Sequence, residues 1–115
     1  TGVAAWLASR KSCRHLILET PYYSFHSLAA HYLPVYPVSR LIRLELPVYK
    51  YINVVNAPVS IFHGTADNVI PYSNGVKLKA DLKPNDLFVT VENGAHNNLV
   101  DFPVFRQKLD SLLSN

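Results

Sequence analysis

Three short apolar runs, residues 15–19 (HLILE), 59–63 (VSIFH) and 87–91 (LFVTV), alternate with segments of helical character. Strands that alternate with helices pair in parallel through right-handed crossovers. The chain is therefore expected to belong to the α/β class, with parallel strands and flanking helices. The first run lacks polar alternation, which suits a strand buried on both faces, and Thr20-Pro21 stops it. Asn56-Ala57-Pro58 introduces the second, and Pro84-Asn85-Asp86 forms a turn before the third.

The intervening segments read as helices of unequal clarity. Residues 3–9 (VAAWLAS) form the back of a helix that closes in the basic turn Ser9-Arg10-Lys11-Ser12. Pro71-Tyr72-Ser73 offers a start with Ser73 as N-cap, followed at helical spacing by Val76, Ala80 and Lys83. Asp101 is expected to cap a last helix whose Phe102, Phe105, Leu109, Leu112 and Leu113 make one apolar stripe. Residues 22–52 hold six tyrosines and three prolines, Pro34, Pro37 and Pro47, which break any long helix. Short helices over residues 27–32 and 39–44 are the expectation there.

The 115 residues suffice for one small domain, and 49% hydrophobic with 17% charged residues excludes a disordered chain. The chain opens at Thr1 inside a helix-like pattern and lacks the earlier strands such a sheet requires. It is expected to be the C-terminal portion of a single domain over residues 1–115, with 22–52 a helical, aromatic-rich insert. Its expected partner is then the missing N-terminal half of the same domain. The net charge of +3 is scattered over the sequence rather than gathered in a stripe, so no nucleic-acid partner is expected. No apolar run approaches the roughly 20 residues that span a bilayer, and nothing indicates membrane association. The single cysteine, Cys13, has no internal partner for a disulfide.

Two of the apolar runs end on loops that carry chemistry. The second runs into His63-Gly64-Thr65-Ala66-Asp67, and the third into Glu92-Asn93-Gly94-Ala95-His96. In open parallel sheets, ligands and catalytic groups gather beyond the carboxyl ends of the strands. Taken singly, Asp67 reads as a turn residue and His96 as a loop histidine bonded to backbone. Taken together, on consecutive strand ends and in the order acid then histidine, they read as a carboxylate that orients a general base. None of the histidines stands in a metal-binding pattern with a cysteine or carboxylate, so no metal and no cofactor is expected.

The stretch from His63 through Asp67-Asn68-Val69-Ile70-Pro71, followed by Gly94-Ala95-His96-Asn97-Asn98, resembles the acid and histidine motifs of serine α/β-hydrolases. The similarity is to the abhydrolase-domain, serine-aminopeptidase-like branch. Leu18-Glu19-Thr20-Pro21-Tyr22 and the opening Thr1-Gly2-Val3-Ala4 fit the same pattern. The resemblance covers nearly the whole chain but only the C-terminal half of such a fold. It implies that Asp67 is the triad acid and His96 the general base. The Gly-x-Ser-x-Gly elbow with the nucleophile, and both oxyanion-hole donors, would precede Thr1. Ala95 stands where glycine is common in this group.

The implied activity is hydrolysis of carboxylic esters or thioesters, with amides behind them, on a small-molecule or acyl substrate. Tyrosines and leucines of the insert are candidates to line an acyl pocket. Glu19, at the end of the first strand, is a rival acid ranked as site-lining or structural. His63 is read as a structural hydrogen-bonder within its loop; His15 starts a strand, and His26 and His31 fall in the insert. Ser24, Ser27 and Ser73 lack an elbow context. The rival reading is a non-catalytic α/β-hydrolase relative that binds a ligand or protein, with Asp67 and His96 as remnants. A doubly wound nucleotide binder ranks last, because no glycine-rich phosphate loop follows the first strand.

Overall fold

The structure, a computed structural model, describes residues 1–41 and 43–114. In chain order the elements are α1 (Gly2–Ala8), β1 (Leu16–Glu19), α2 (Phe25–Tyr32), α3 (Val38–Leu41), α4 (Val48–Val54), β2 (Val59–Gly64), α5 (Tyr72–Lys79), β3 (Leu87–Val91), a 3-10 turn (Leu99–Asp101) and α6 (Pro103–Leu113). The three strands form one parallel sheet in the order β1-β2-β3. Leu16 pairs with Val59 at one end of the first ladder, and Gly64 pairs with Val91 at the end of the second.

Position in the sheet explains strand composition. β2 is central, and every one of its residues is buried. β1 and β3 pair on one side only among the described residues, and each has exposed or half-buried positions. One apolar cluster joins Leu16, Leu18, Val59 and Ile61 to Ala5 of α1, Val48 and Ile52 of α4 and Leu78 of α5. The other gathers Phe62, Val89 and Val91 under Leu99 and Phe105, with the Phe62 and Phe105 rings edge to face at 4.9 Å. Full burial of side chains such as Phe62 and Ile61 stabilises the sheet by roughly 1.5–3 kcal/mol each.

Several helix boundaries depart from the sequence expectations for local reasons. Ser73 lies inside the first turn of α5; Pro71 holds the N-cap position without a side-chain bond. The buried face of α5 is Asn74, Gly75 and Leu78, while Val76 is exposed. Lys83 lies beyond the helix and pairs with Asp86 at 2.7 Å. Asp101 ends the 3-10 turn instead of capping α6, which starts at Pro103 because proline needs no donor in a first turn. Leu113 is 70% exposed and leaves the apolar stripe of α6.

In the insert, α2 begins two residues earlier than expected (Phe25 rather than Ser27), because the Ser24 hydroxyl accepts from the Ser27 amide at 3.0 Å and caps it. α3 spans Val38–Leu41; of the helix expected over 39–44, Ile42 lies outside the described residues. α4 was not anticipated. Pro47 precedes it and fixes the backbone at its start, and α4 packs against α1.

Candidate active site

The loops after β2 and β3 meet at the carboxyl end of the sheet. Gly64 makes this possible: its backbone passes so close to Gly94 that a Cβ would overlap the Gly94 carbonyl. The Thr65 amide donates to the Val91 carbonyl at 3.1 Å, and the Ala66 amide to the Gly94 carbonyl at 2.9 Å. The Asn93 amide donates back to the Thr65 hydroxyl at 2.8 Å, with Asn93 in the left-handed region at φ 60°. Two loops from adjacent strands are thus tied together through their backbones.

Asp67 sits within this junction with its side chain fully buried. A buried carboxylate requires donors, and Asp67 has them. Its Oδ1 accepts from the Val69 amide at 2.9 Å and the Ile70 amide at 2.8 Å. Its Oδ2 lies 3.0 Å from His96 Nδ1. A carboxylate oxygen accepts, so Nδ1–H donates and Nε2 is left as the basic nitrogen of the neutral ring. The His96 side chain remains about a quarter exposed (26%). The Ala95 amide donates to Asn98 Oδ1 at 2.7 Å and fixes the backbone beside the histidine.

A second histidine reaches the same carboxylate. His63 lies on β2, at the end of the strand rather than in the loop, and is fully buried. Its Nε2 is 2.9 Å from the Ile70 carbonyl and 3.5 Å from Asp67 Oδ2. Burial pushes the His63 imidazole below its ordinary pKa, opposed by its bond to Ile70 and by the Asp67 charge.

The sequence resembles named proteins over this same stretch. It is 32% identical to a putative alpha/beta hydrolase of Acanthamoeba polyphaga mimivirus over 75% of the chain and 31% of that protein. It is 29% identical to the alpha/beta hydrolase domain-containing protein 17C of Xenopus tropicalis over 95% of the chain and 34% of that protein. The esterase domain of a Rhodothermus marinus protein superposes with a TM-score of 0.68 at 11% identity, covering 97% of this chain and 54% of that one. The chain carries part of an α/β-hydrolase fold. It spans about a third of the length of the curated relatives it matches. No protein-family model matches the chain.

Within this α/β-hydrolase fold, the other residues singled out from sequence lie apart from the pair. Glu19 ends β1 with an exposed side chain, and Asp101 is exposed in the 3-10 turn. His15 precedes β1 and bonds the Ser60 hydroxyl at 2.8 Å, and His31 packs edge to face on Tyr32. The insert tyrosines divide in two. Tyr22, Tyr23, Tyr49 and Tyr51 pack on the main core, and burial raises the Tyr22 phenol above its ordinary pKa. Tyr36, with Leu33, Val38 and Leu41, lines an apolar hollow of about 190 Å³.

Nothing in the sequence pointed to a contact between Tyr32 and the acid loop, yet its hydroxyl donates to the Val69 carbonyl and lies 3.3 Å from that of Asn68. It ties the insert to the loop that holds Asp67. Among the described residues no cluster of three His, Cys, Asp or Glu is arranged to hold a metal ion, and no helix is long and apolar enough to cross a membrane.

Proposed function

We propose that this chain supplies the acid and the general base of a serine hydrolase acting on carboxylic esters or thioesters, with amides as poorer substrates. The nucleophilic serine and the oxyanion-hole donors come from upstream of Thr1, in the N-terminal part of the same domain. The observation that carries this reading is the 3.0 Å bond from His96 Nδ1 to the buried Asp67. It leaves Nε2 as the basic nitrogen of a ring whose side chain is partly exposed. The esterase named among the structural neighbours and the relatives named alpha/beta hydrolase favour this class over a binding protein.

In this mechanism His96 Nε2 takes the serine proton as Oγ attacks the acyl carbon, and a tetrahedral oxyanion forms. Asp67 orients the ring and stabilises the imidazolium. The proton then passes from Nε2 to the departing alkoxide or thiolate, leaving an acyl-enzyme. A water molecule gives its proton to Nε2 and attacks the acyl carbon, and the same proton returns to the serine as the acid departs.

The test uses the intact protein, a panel of short acyl esters and thioesters, and a fluorophosphonate probe for an activated serine. Wild type should hydrolyse a panel member and be labelled. His96→Ala should lose turnover by roughly 10⁴-fold or more while keeping its fold. Near-normal hydrolysis by that variant would sink the assignment. An unlabelled, inactive wild type would favour the ligand-binding reading.

A further inference from the structure

Catalysis by an acid–histidine pair does not require a second histidine, yet His63 is buried against the same carboxylate. A carbonyl oxygen only accepts, so the 2.9 Å contact to Ile70 means that His63 Nε2 carries the proton and donates it. Among the described residues His63 Nδ1 has no hydrogen-bond partner, and it faces the backbone of Gly75, where even a Cβ would approach it to 2.5 Å. A proton on that nitrogen would be a buried N–H without an acceptor, which is costly. The lowered pKa of the ring points the same way. One tautomer is therefore selected. Tyr72 on α5 meets the ring edge-on at 5.7 Å and closes off another side.

The loop from Gly64 to Ile70 is consequently gripped at both groups of Ile70. Its amide donates to Asp67 Oδ1, and its carbonyl accepts from His63 Nε2. His63 Nε2 also lies 3.5 Å from Asp67 Oδ2, the oxygen that faces His96. We propose that His63 is a positioning residue for the Asp67–His96 pair: through the Ile70 carbonyl and Asp67 Oδ2, it fixes the carboxylate in the orientation that meets His96 Nδ1. This rests on reading Asp67 and His96 as acid and base. The competing account is that His63 is an ordinary core hydrogen-bonder, whose loss softens the fold and nothing more.

The two accounts separate by NMR of the intact protein with ¹⁵N-labelled histidine rings. In wild type, His63 should be protonated at Nε2 and bare at Nδ1, and the His96 Nδ1–H should appear as a slowly exchanging downfield signal. His63→Phe keeps ring volume and removes the donor; His63→Gln returns an N–H near the position of Nε2. The His96 Nδ1–H should exchange with water at least ~10-fold faster in the Phe variant and recover in the Gln variant. Folded variants of lower melting temperature with an unchanged His96 signal would overturn the proposal. So would a wild-type His63 protonated at Nδ1, a result that needs no variant to fold. None of these signals depends on turnover. A wild type without hydrolytic activity would thus count against the proposed function, while the His96 signal would still decide whether His63 positions the Asp67–His96 contact.

Discussion

Gly64 and Gly94 touch backbone to backbone, with the carbonyl of Gly94 occupying the space where a side chain on Gly64 would begin. The contact sets how close the acid loop can come to the histidine loop, and so whether Asp67 and His96 can bond at all. Gly64→Ala should therefore lower stability by about 3 kcal/mol, because backbone, not a flexible side chain, would have to move. Gly94→Ala should cost less, since a Cβ there meets the side chains of Leu99 and Val91 at 2.7 and 2.9 Å and backbone only at 3.1 Å, the Val91 carbonyl. Urea unfolding of both variants checks the order, and equal losses would contradict it.

Asp67→Asn isolates electrostatics from packing. The amide oxygen can still accept from Val69 and Ile70, but the other corner now donates toward His96 Nδ1. The ring should switch tautomer, protonating Nε2 and disabling it as a base. The expected result in the intact protein is a kcat lower by about 10³–10⁴-fold with little change in KM or melting temperature. A variant within tenfold of wild-type kcat would remove Asp67 from the mechanism.

Much of this arrangement was legible in the sequence. Strand positions, parallel pairing and the meeting of Asp67 with His96 follow from apolar runs and from what stands at their ends. The misplacements share one cause. Ser73 and Asp101 look like N-caps because serine and aspartate often are. A cap requires the backbone to leave the helix there, and Pro71 and Pro103 had already fixed the starts. α4 escaped notice because its burial against α1 is tertiary and leaves no period in so short a segment. Tyr32 and the second approach of His63 to Asp67 were invisible for the same reason: each is a contact made by folding.

Tyr32→Phe should loosen the acid loop locally. The hydroxyl bonds carbonyls of Asn68 and Val69 from a half-exposed ring, so global stability should fall by less than about 1 kcal/mol. Amide exchange at Val69 and Ile70, the two donors to Asp67, should accelerate several-fold. Unchanged protection at both amides would show that the insert does not brace the loop.

His63 gives stability a defined acid dependence. Its pKa is lowered by folding from the ordinary 6.5, so at pH values below this the unfolded chain binds a proton that the native ring does not. Stability then rises with pH across that window and is lost as pH falls from 6.5 toward the native value. Melting temperatures from pH 7.5 to 5 should fall for wild type and fall less for His63→Gln, which has nothing to protonate there. Parallel curves would assign the acid sensitivity to other groups.

Asp67 and His96 are 29 positions apart in the chain, on the loops that follow the two strands of one β2–α5–β3 unit. The hydrogen bonds described between their loops run from residues 65–67 to residues 91–96. The proposed acid and base thus travel together on one contiguous unit, and their geometry relative to each other is set inside it.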